Sequence, residues 1–431
     1  MRVGAAHLVL HPGQEIASSL DSARLVPRPY NDAMRRSGLW RNSDYVRLWG
    51  AATISTYGSL VSRTALPFTA ILLLDADAWA LSALRIAELL PGFLIGLFAG
   101  AWVDRLRRRP ILIATDLTRA ALLVTIPAVA FFGLLSLNHL YLIAALVSAL
   151  SVGFDVAFQS FLPSLVERDD LIEANSKLSA ASSVSEAAAF SSSGWLVQLL
   201  SAPLAMLVDA LTFLASAALV LRIHTPERSR GDGGEETQSV LAEVGAGLRA
   251  VWREPVLRGL TLTSLALNLS FGLVGTVFLL YVNREVGFDP GILGMIFAVG
   301  GVSSFLGAMI VGRLPRFAIG SVMIVSLLLA AVGQAFTPLA TAANLTGMLF
   351  LIGQQIVADA ALTVYDINLV SLRQAIAPDQ ILGRVIASLR VIEVGAVLVG
   401  TVAAGYLGET IGLRNTLWLG VAASVLAAVI L

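Results

Sequence analysis

The chain contains no cysteine and only four histidines. The first absence removes thiol nucleophiles, disulfides and cysteine metal sites together, and leaves the redox compartment unread. His7, His11 and His224 fall in polar segments and His139 in a short loop, so no metal cluster is expected from them and no cofactor is implied. Charge is scarce as well. Asp, Glu, Lys and Arg make up 13% of residues against roughly 25% in a soluble domain, and 29 basic residues balance 29 acidic ones. Neither net charge nor a basic stripe argues for a nucleic-acid partner. Also missing are a nucleotide-binding Gly-x4-Gly-Lys-Ser/Thr loop, a His-Glu-x-x-His helix and a Gly-x-Ser-x-Gly elbow, so the chain does not read as an enzyme.

What fills the space is apolar: 57% of the 431 residues are hydrophobic, and the mean hydropathy is +0.81. A membrane-crossing helix needs about 20 mostly apolar residues. Twelve such stretches are found, at 47–74, 80–103, 110–133, 138–162, 178–200 and 203–222, then at 257–281, 290–312, 319–336, 339–366, 383–407 and 413–431. The expected fold is an all-α membrane protein of twelve transmembrane helices in two pseudo-symmetric six-helix halves. Of the 29 basic residues, 23 fall on the side that holds the N-terminus. By the positive-inside rule both termini are cytoplasmic, which an even number of spans requires. The expected location is the cell (cytoplasmic or inner) membrane.

The chain divides into a largely disordered cytoplasmic segment (1–45), a six-helix half (46–222), a cytoplasmic linker (223–256) and a second six-helix half (257–431). The apolar run Leu8-Val9-Leu10 is too short for a signal peptide. Met34, followed at once by Arg35 and Arg36, reads as a translation start as well as Met1 does. Within the linker, Arg228 to Glu236 is polar and Gly-rich. Val240, Leu241, Val244, Leu248 and Val251 then recur at helical spacing, predicting a short amphipathic helix that lies on the membrane surface or packs under the bundle.

The two halves repeat weakly. Gly100-Ala101 matches Gly307-Ala308 and Glu186 matches Glu393 at one offset of 207 residues. Such a repeat predicts a ligand site near the bilayer midplane between the halves.

Between spans two and three the chain reads Gly100-Ala101-Trp102-Val103-Asp104-Arg105-Leu106-Arg107-Arg108-Arg109-Pro110. This resembles the loop 2–3 signature of the major facilitator superfamily. Asp116-Leu117-Thr118-Arg119, Phe154-Asp155-Val156-Ala157-Phe158, Glu173-Ala174-Asn175-Ser176 and Val208-Asp209-Ala210 look like its bacterial enterobactin-exporter and macrolide-efflux branch. In the resembled superfamily the loop is a latch between halves that biases the outward-open state. The resemblance carries that role onto Gly100, Asp104, Arg105 and Arg108. The run Arg105, Arg107, Arg108 and Arg109 also suits anionic lipid headgroups. In span five the superfamily's antiporters often show Gly-Pro-x-x-Gly-Gly, whereas here Ala189-Phe190-Ser191-Ser192-Ser193-Gly194 keeps only the last glycine.

An ionisable group inside a membrane is costly, so each is a functional candidate. By depth, Asp116, Arg119, Asp155 and Glu186 are expected to form one buried cluster, as a proton site, a gate or a structural ion-pair network. Glu88 joins Asp155 and Glu186 as a candidate for proton coupling. Arg63, Arg85 and Glu88, with Pro67 and Pro91 freeing backbone carbonyls beside them, are expected in the substrate cavity, faced by spans one, two and four. Asp359, Asp366, Arg390 and Glu393 are expected to form a matching second-half network.

The resemblance implies a monomeric secondary transporter, most simply a proton-coupled exporter of a hydrophobic or amphipathic small molecule such as a drug, siderophore or natural product. A nutrient-uptake or facilitated-diffusion carrier stays open beside it, as does a non-transporting sensor or lipid-handling protein.

Overall fold

Long apolar runs cannot leave backbone N–H and C=O groups unpaired in lipid, so they wind into helices that satisfy themselves internally. The computed structural model describes residues 38–103, 107–225, 240–314, 317–376 and 382–431. The first half holds α1 (Ser43–Leu73), α2 (Ala78–Val103), α3 (Arg108–Phe131), α4 (Leu137–Leu165), α5 (Leu171–Leu200) and α6 (Ala202–Leu221). A surface helix, α7 (Val240–Arg253), leads into the second half. That half holds α8 (Pro255–Leu280), α9 (Pro290–Val311), α10 (Ile319–Leu339), α11 (Leu345–Gln354), α12 (Ala360–Ile376), α13 (Leu382–Thr410) and α14 (Leu413–Ile430). Helices α11 and α12 are one span interrupted by a π-helical segment, Gln355–Asp359, and a second π segment, Tyr281–Val286, extends α8. Among the described residues no strand is present.

Ends are set by local chemistry. Ser136 and Asn344 cap α4 and α11 by accepting from the N–H groups of His139 and Gly347. Proline stands in the first turn of α6, α8 and α9, where a missing N–H costs nothing.

Among the described residues, ten of the spans are long and apolar enough to cross a membrane by composition. The two that fall short are α1 and α5. Helix α1 carries Arg63 among hydroxyl residues, and α5 carries Glu186 with Ser191, Ser192 and Ser193. These two polar helices pack side by side. Tyr57 on α1 bonds Ser192 at 2.8 Å, and Ser185 donates to the Thr53 carbonyl at 3.0 Å. A helix too polar to face lipid belongs inside the bundle, and α1 and α5 line its interior.

Within the halves α1 packs on α6, α2 on α4, α8 on α13 and α14. Between halves the principal contacts are α5 with α9 and α2 with α13. Surface helix α7 tucks under the second half: Val251 is buried with Leu257, Val385 and Leu389, while Arg249 and Arg253 stay exposed.

At the face where α1 begins, here the near face, α6 ends among polar partners. Arg47 donates to the Arg222 carbonyl at 2.6 Å, and Arg109 donates to those of Val220 and Leu221 at 3.3 and 2.7 Å. Cations at a helix C-terminus complement its dipole. Arg109 is thus turned onto protein and Arg108 is buried, so of the basic run expected at lipid only Arg107 is exposed among the described residues.

Candidate functional site

Between the halves lies a cavity of about 280 Å³. Helix α1 contributes Leu60, Arg63, Thr64 and Pro67, and α2 contributes Leu81, Leu84, Arg85 and Glu88. Glu186 and Phe190 come from α5, while Gly275, Thr276, Leu279 and Phe297 form the opposing wall from α8 and α9. Pro67 removes the donor that would have bonded the Arg63 carbonyl four residues earlier. Arg85 and Glu88, one turn apart on α2, close on each other at 2.9 Å. Arg63 and Glu186 both expose their side chains to this space. Among the described residues neither makes a hydrogen bond or an ion pair within 4 Å, although the charges of Glu88, Glu186 and Arg85 act on Arg63. Phe297 tilts against Phe190 across the halves, with ring centroids 6.2 Å apart, and against Phe278 at 5.9 Å.

The cavity is shut toward the far face. Ser82 donates to the Thr401 carbonyl at 2.6 Å, and the Ala78 N–H at the start of α2 donates to the Glu409 carboxylate at 3.0 Å. Gly291 N–H donates to the Gln198 side chain at 3.0 Å. Arg284, in the π segment of α8, pairs with Asp75 and also donates to the Ile71 carbonyl at 3.3 Å.

A separate buried network sits in the first half. Arg119 is 3% exposed, donates to Asp116 at 2.5 Å and to Ser151 at 3.1 Å, and lies between the rings of Phe213 and Phe154, 4.1 and 4.6 Å from their centroids. The charges of Asp209 and Asp155 also act on it. Asp209 is 1% exposed, accepts from the Thr212 hydroxyl at 3.3 Å, and faces Gly58 so closely that a Cβ there would stand 2.6 Å from its Oδ1.

The expected residues therefore separate. Asp116 and Arg119 come together, with Asp209 added; Asp155 is exposed and makes no hydrogen bond or close ion pair among the described residues, reaching Arg119 only through its charge. Glu186 does not join them, because α5 turns it into the cavity with Arg63. The cavity takes in Arg63, Arg85, Glu88 and Pro67; Pro91 and span four contribute nothing to its lining, and α5 stands where α4 was expected. Helix α4 instead turns Phe154 onto Arg119.

In the second half Glu393 pairs with Arg373 at 2.9 Å, and Arg373 also donates to Ser264 at 2.7 Å. The charges of Glu393 and Arg373 act on Asp366. Arg390 is exposed and outside this group, and Asp359 lies apart, in the π segment against Gly300 and Gln355. Arg373 was counted from sequence only as a near-side basic residue. Its spacing of seven from Asp366, two turns along one face, was the available signal. Gly100 lies within α2, while Asp104 and Arg105 of the expected latch lie outside the described residues.

A twelve-span bundle in two halves around a charged central cavity is the architecture of a membrane transporter. The family model described as Major Facilitator Superfamily matches residues 48–353, and the chain belongs to that superfamily. It is similar to the multidrug efflux pump Tap of Mycolicibacterium fortuitum, 27% identical over 377 residues that cover 85% of this chain and 89% of that one. It is also similar to the uncharacterized MFS-type transporter YfiS of Bacillus subtilis (strain 168), 23% identical over 382 residues, covering 87% and 89%. Among solved structures, the nucleoside transporter NupG superposes with a TM-score of 0.72 at 14% identity, covering 90% of this chain and 97% of that one. A bacterial homologue of the iron transporter ferroportin in an inward-facing state gives 0.71 at 16%, covering 90% and 97%. These two likenesses speak to the fold alone.

Proposed function

We propose that the protein is a monomeric secondary active exporter of amphipathic small molecules, driven by proton entry and working by alternating access. The observation that carries this reading is the central cavity, which holds Arg63, Glu88 and Glu186 at membrane depth and is closed toward the far face. Counting basic residues makes the near face cytoplasmic, so the cavity faces the side from which an exporter loads. The likeness to an efflux pump over most of both chains supports the outward direction. Aromatic and aliphatic walls suit an apolar ligand, and the carboxylates Glu88, Asp155 and Glu186 are the candidates to exchange protons as the halves rock. Gly100, Asp104, Arg105 and Arg108 would latch the opposite conformation.

Accumulation of fluorescent drugs and siderophores in cells stripped of their own exporters tests this. Expression should lower accumulation, and a protonophore should restore it. Neutralising Glu88, Asp155 and Glu186 in turn should abolish uphill export in at least one variant while leaving downhill exchange. Unchanged or raised accumulation across the panel would overturn export. Normal uphill rates in all three variants would overturn the coupling assignment.

A further inference from the structure

From the charges that line the cavity we infer that its preferred ligand is an amphipathic zwitterion, its anionic group on Arg63, its cationic group on Glu186 and its apolar body against the second-half wall. This rests on the cavity being the transport site. Four charged side chains face the space, but they are not equivalent. Arg85 and Glu88 neutralise each other at 2.9 Å. Arg63 and Glu186 are left without a hydrogen bond or close ion pair among the described residues, on neighbouring helices of one half.

Unpaired charges at membrane depth are held at a desolvation cost that a complementary ligand charge relieves. An anion would satisfy Arg63 and leave Glu186 exposed, a cation would do the reverse, and a neutral ligand would cover both without pairing either. Only a ligand bearing both signs completes the set. The opposing wall offers no charge: Gly275 leaves room, and Leu279 and Phe297 present apolar surface. Guanidinium and carboxylate differ in what they accept. Arg63 presents a planar fork of donors matched to a carboxylate or phosphate, and Glu186 accepts from an ammonium.

Four forms of one scaffold test the inference on purified protein in lipid nanodiscs by titration calorimetry: biphenylalanine, its methyl ester, its N-acetyl derivative and the N-acetyl methyl ester. The zwitterion should bind at least about tenfold more tightly than each blocked form, the size of one charge-assisted hydrogen bond. Arg63→Gln should erase the preference for the free acid over the ester. Glu186→Gln should erase the preference for the free amine over the acetyl form. Equal affinity for the four forms, tighter binding of any blocked form, or no binding of any form would each overturn the inference, and the wild-type series decides this even if a variant fails to fold. The expected binding order without export in proteoliposomes would leave the inference standing and remove the exporter reading. Export of the neutral form with equal affinities would do the opposite.

Discussion

Gly194 of α5 and Gly294 of α9 meet backbone to backbone across the two halves. A Cβ built on Gly194 would run into the Pro290 carbonyl oxygen and stand 2.8 Å from the Gly294 nitrogen. Gly194 is the one glycine that span five keeps from the antiporter pattern, and here it lets the far-side seam close. Alanine improves helix propensity by about 0.5–1 kcal/mol, but neither partner atom is a side chain that can swing away. Gly194→Ala should therefore open the far face, with an overpacking cost of about 1–3 kcal/mol in the closed state. The chain has no cysteine, so spin labels at Leu134→Cys and Leu345→Cys, both exposed at far-side turns, report the change directly. The label separation should lengthen in Gly194→Ala; an unchanged distance distribution would contradict this role.

Arg119 supports a second prediction. Its charge is met by Asp116, Ser151 and two aromatic faces, and the side chain is 3% exposed. Removing Asp116 strands the cation, and breaking a buried pair from one side costs about 3–5 kcal/mol. Asp116→Asn should lower thermal stability severely, and the double variant Asp116→Asn with Arg119→Gln should recover part of the loss. Arg119→Lys should not rescue, because a compact ammonium cannot span both rings and Asp116. Melting curves of wild type, Asp116→Asn, Arg119→Gln, the double variant and Arg119→Lys in detergent decide it; additive losses in the double variant would mean that the two residues act separately.

How far these sites could be read from sequence depends on which coordinate they need. Depth is legible, because each residue adds about 1.5 Å along a helix, and depth put Arg119, Asp155 and Glu186 at one level. Rotation about the helix axis is not legible without knowing the neighbours, and rotation is what carries Glu186 away from Arg119 to Arg63. The same coordinate chose Arg373 over Arg390 as the partner of Glu393. Spacing rescued some pairs, since Asp116 with Arg119 and Arg85 with Glu88 are three apart and share a face by construction. The span count followed from hydropathy and charge, yet the two least apolar spans, α1 and α5, proved to be cavity walls because polarity in a span signals an interior address.

That distinction between Arg373 and Arg390 is testable. Arg373 bonds both Glu393 and Ser264, so Arg373→Gln leaves a partly buried carboxylate and a hydroxyl without their donor. Its thermal stability should fall by about 1–3 kcal/mol. Arg390 projects from the same helix as Glu393 but is exposed, and Arg390→Gln should change stability by less than about 0.5 kcal/mol. If the two variants melt alike, the second-half network is misassigned.

The near face offers a pH-dependent prediction at Asp44, in the first turn of α1 ahead of the apolar span. Burial works against its charge. The Thr225 hydroxyl donates to it at 2.6 Å, the His224 and Thr225 N–H groups at 3.1 and 2.9 Å, and Arg47 at 2.7 Å; together these outweigh burial and hold the carboxyl below the ordinary aspartate value. Because the folded value lies below the unfolded one, the stabilisation is complete above the unfolded value of about 3.9 and is lost as pH falls through the folded value. Asp44 ties the start of α1 to the segment after α6, so this is stability of the near-face clasp. Asp44→Asn should melt at a lower temperature than wild type at neutral pH, and the gap should narrow as pH is taken below about 4. Thermal unfolding of both proteins across that range checks the sign: a gap that stays constant would show that the carboxylate charge contributes nothing there, and a gap that widens would mean that protonated Asp44 is the stabilising form.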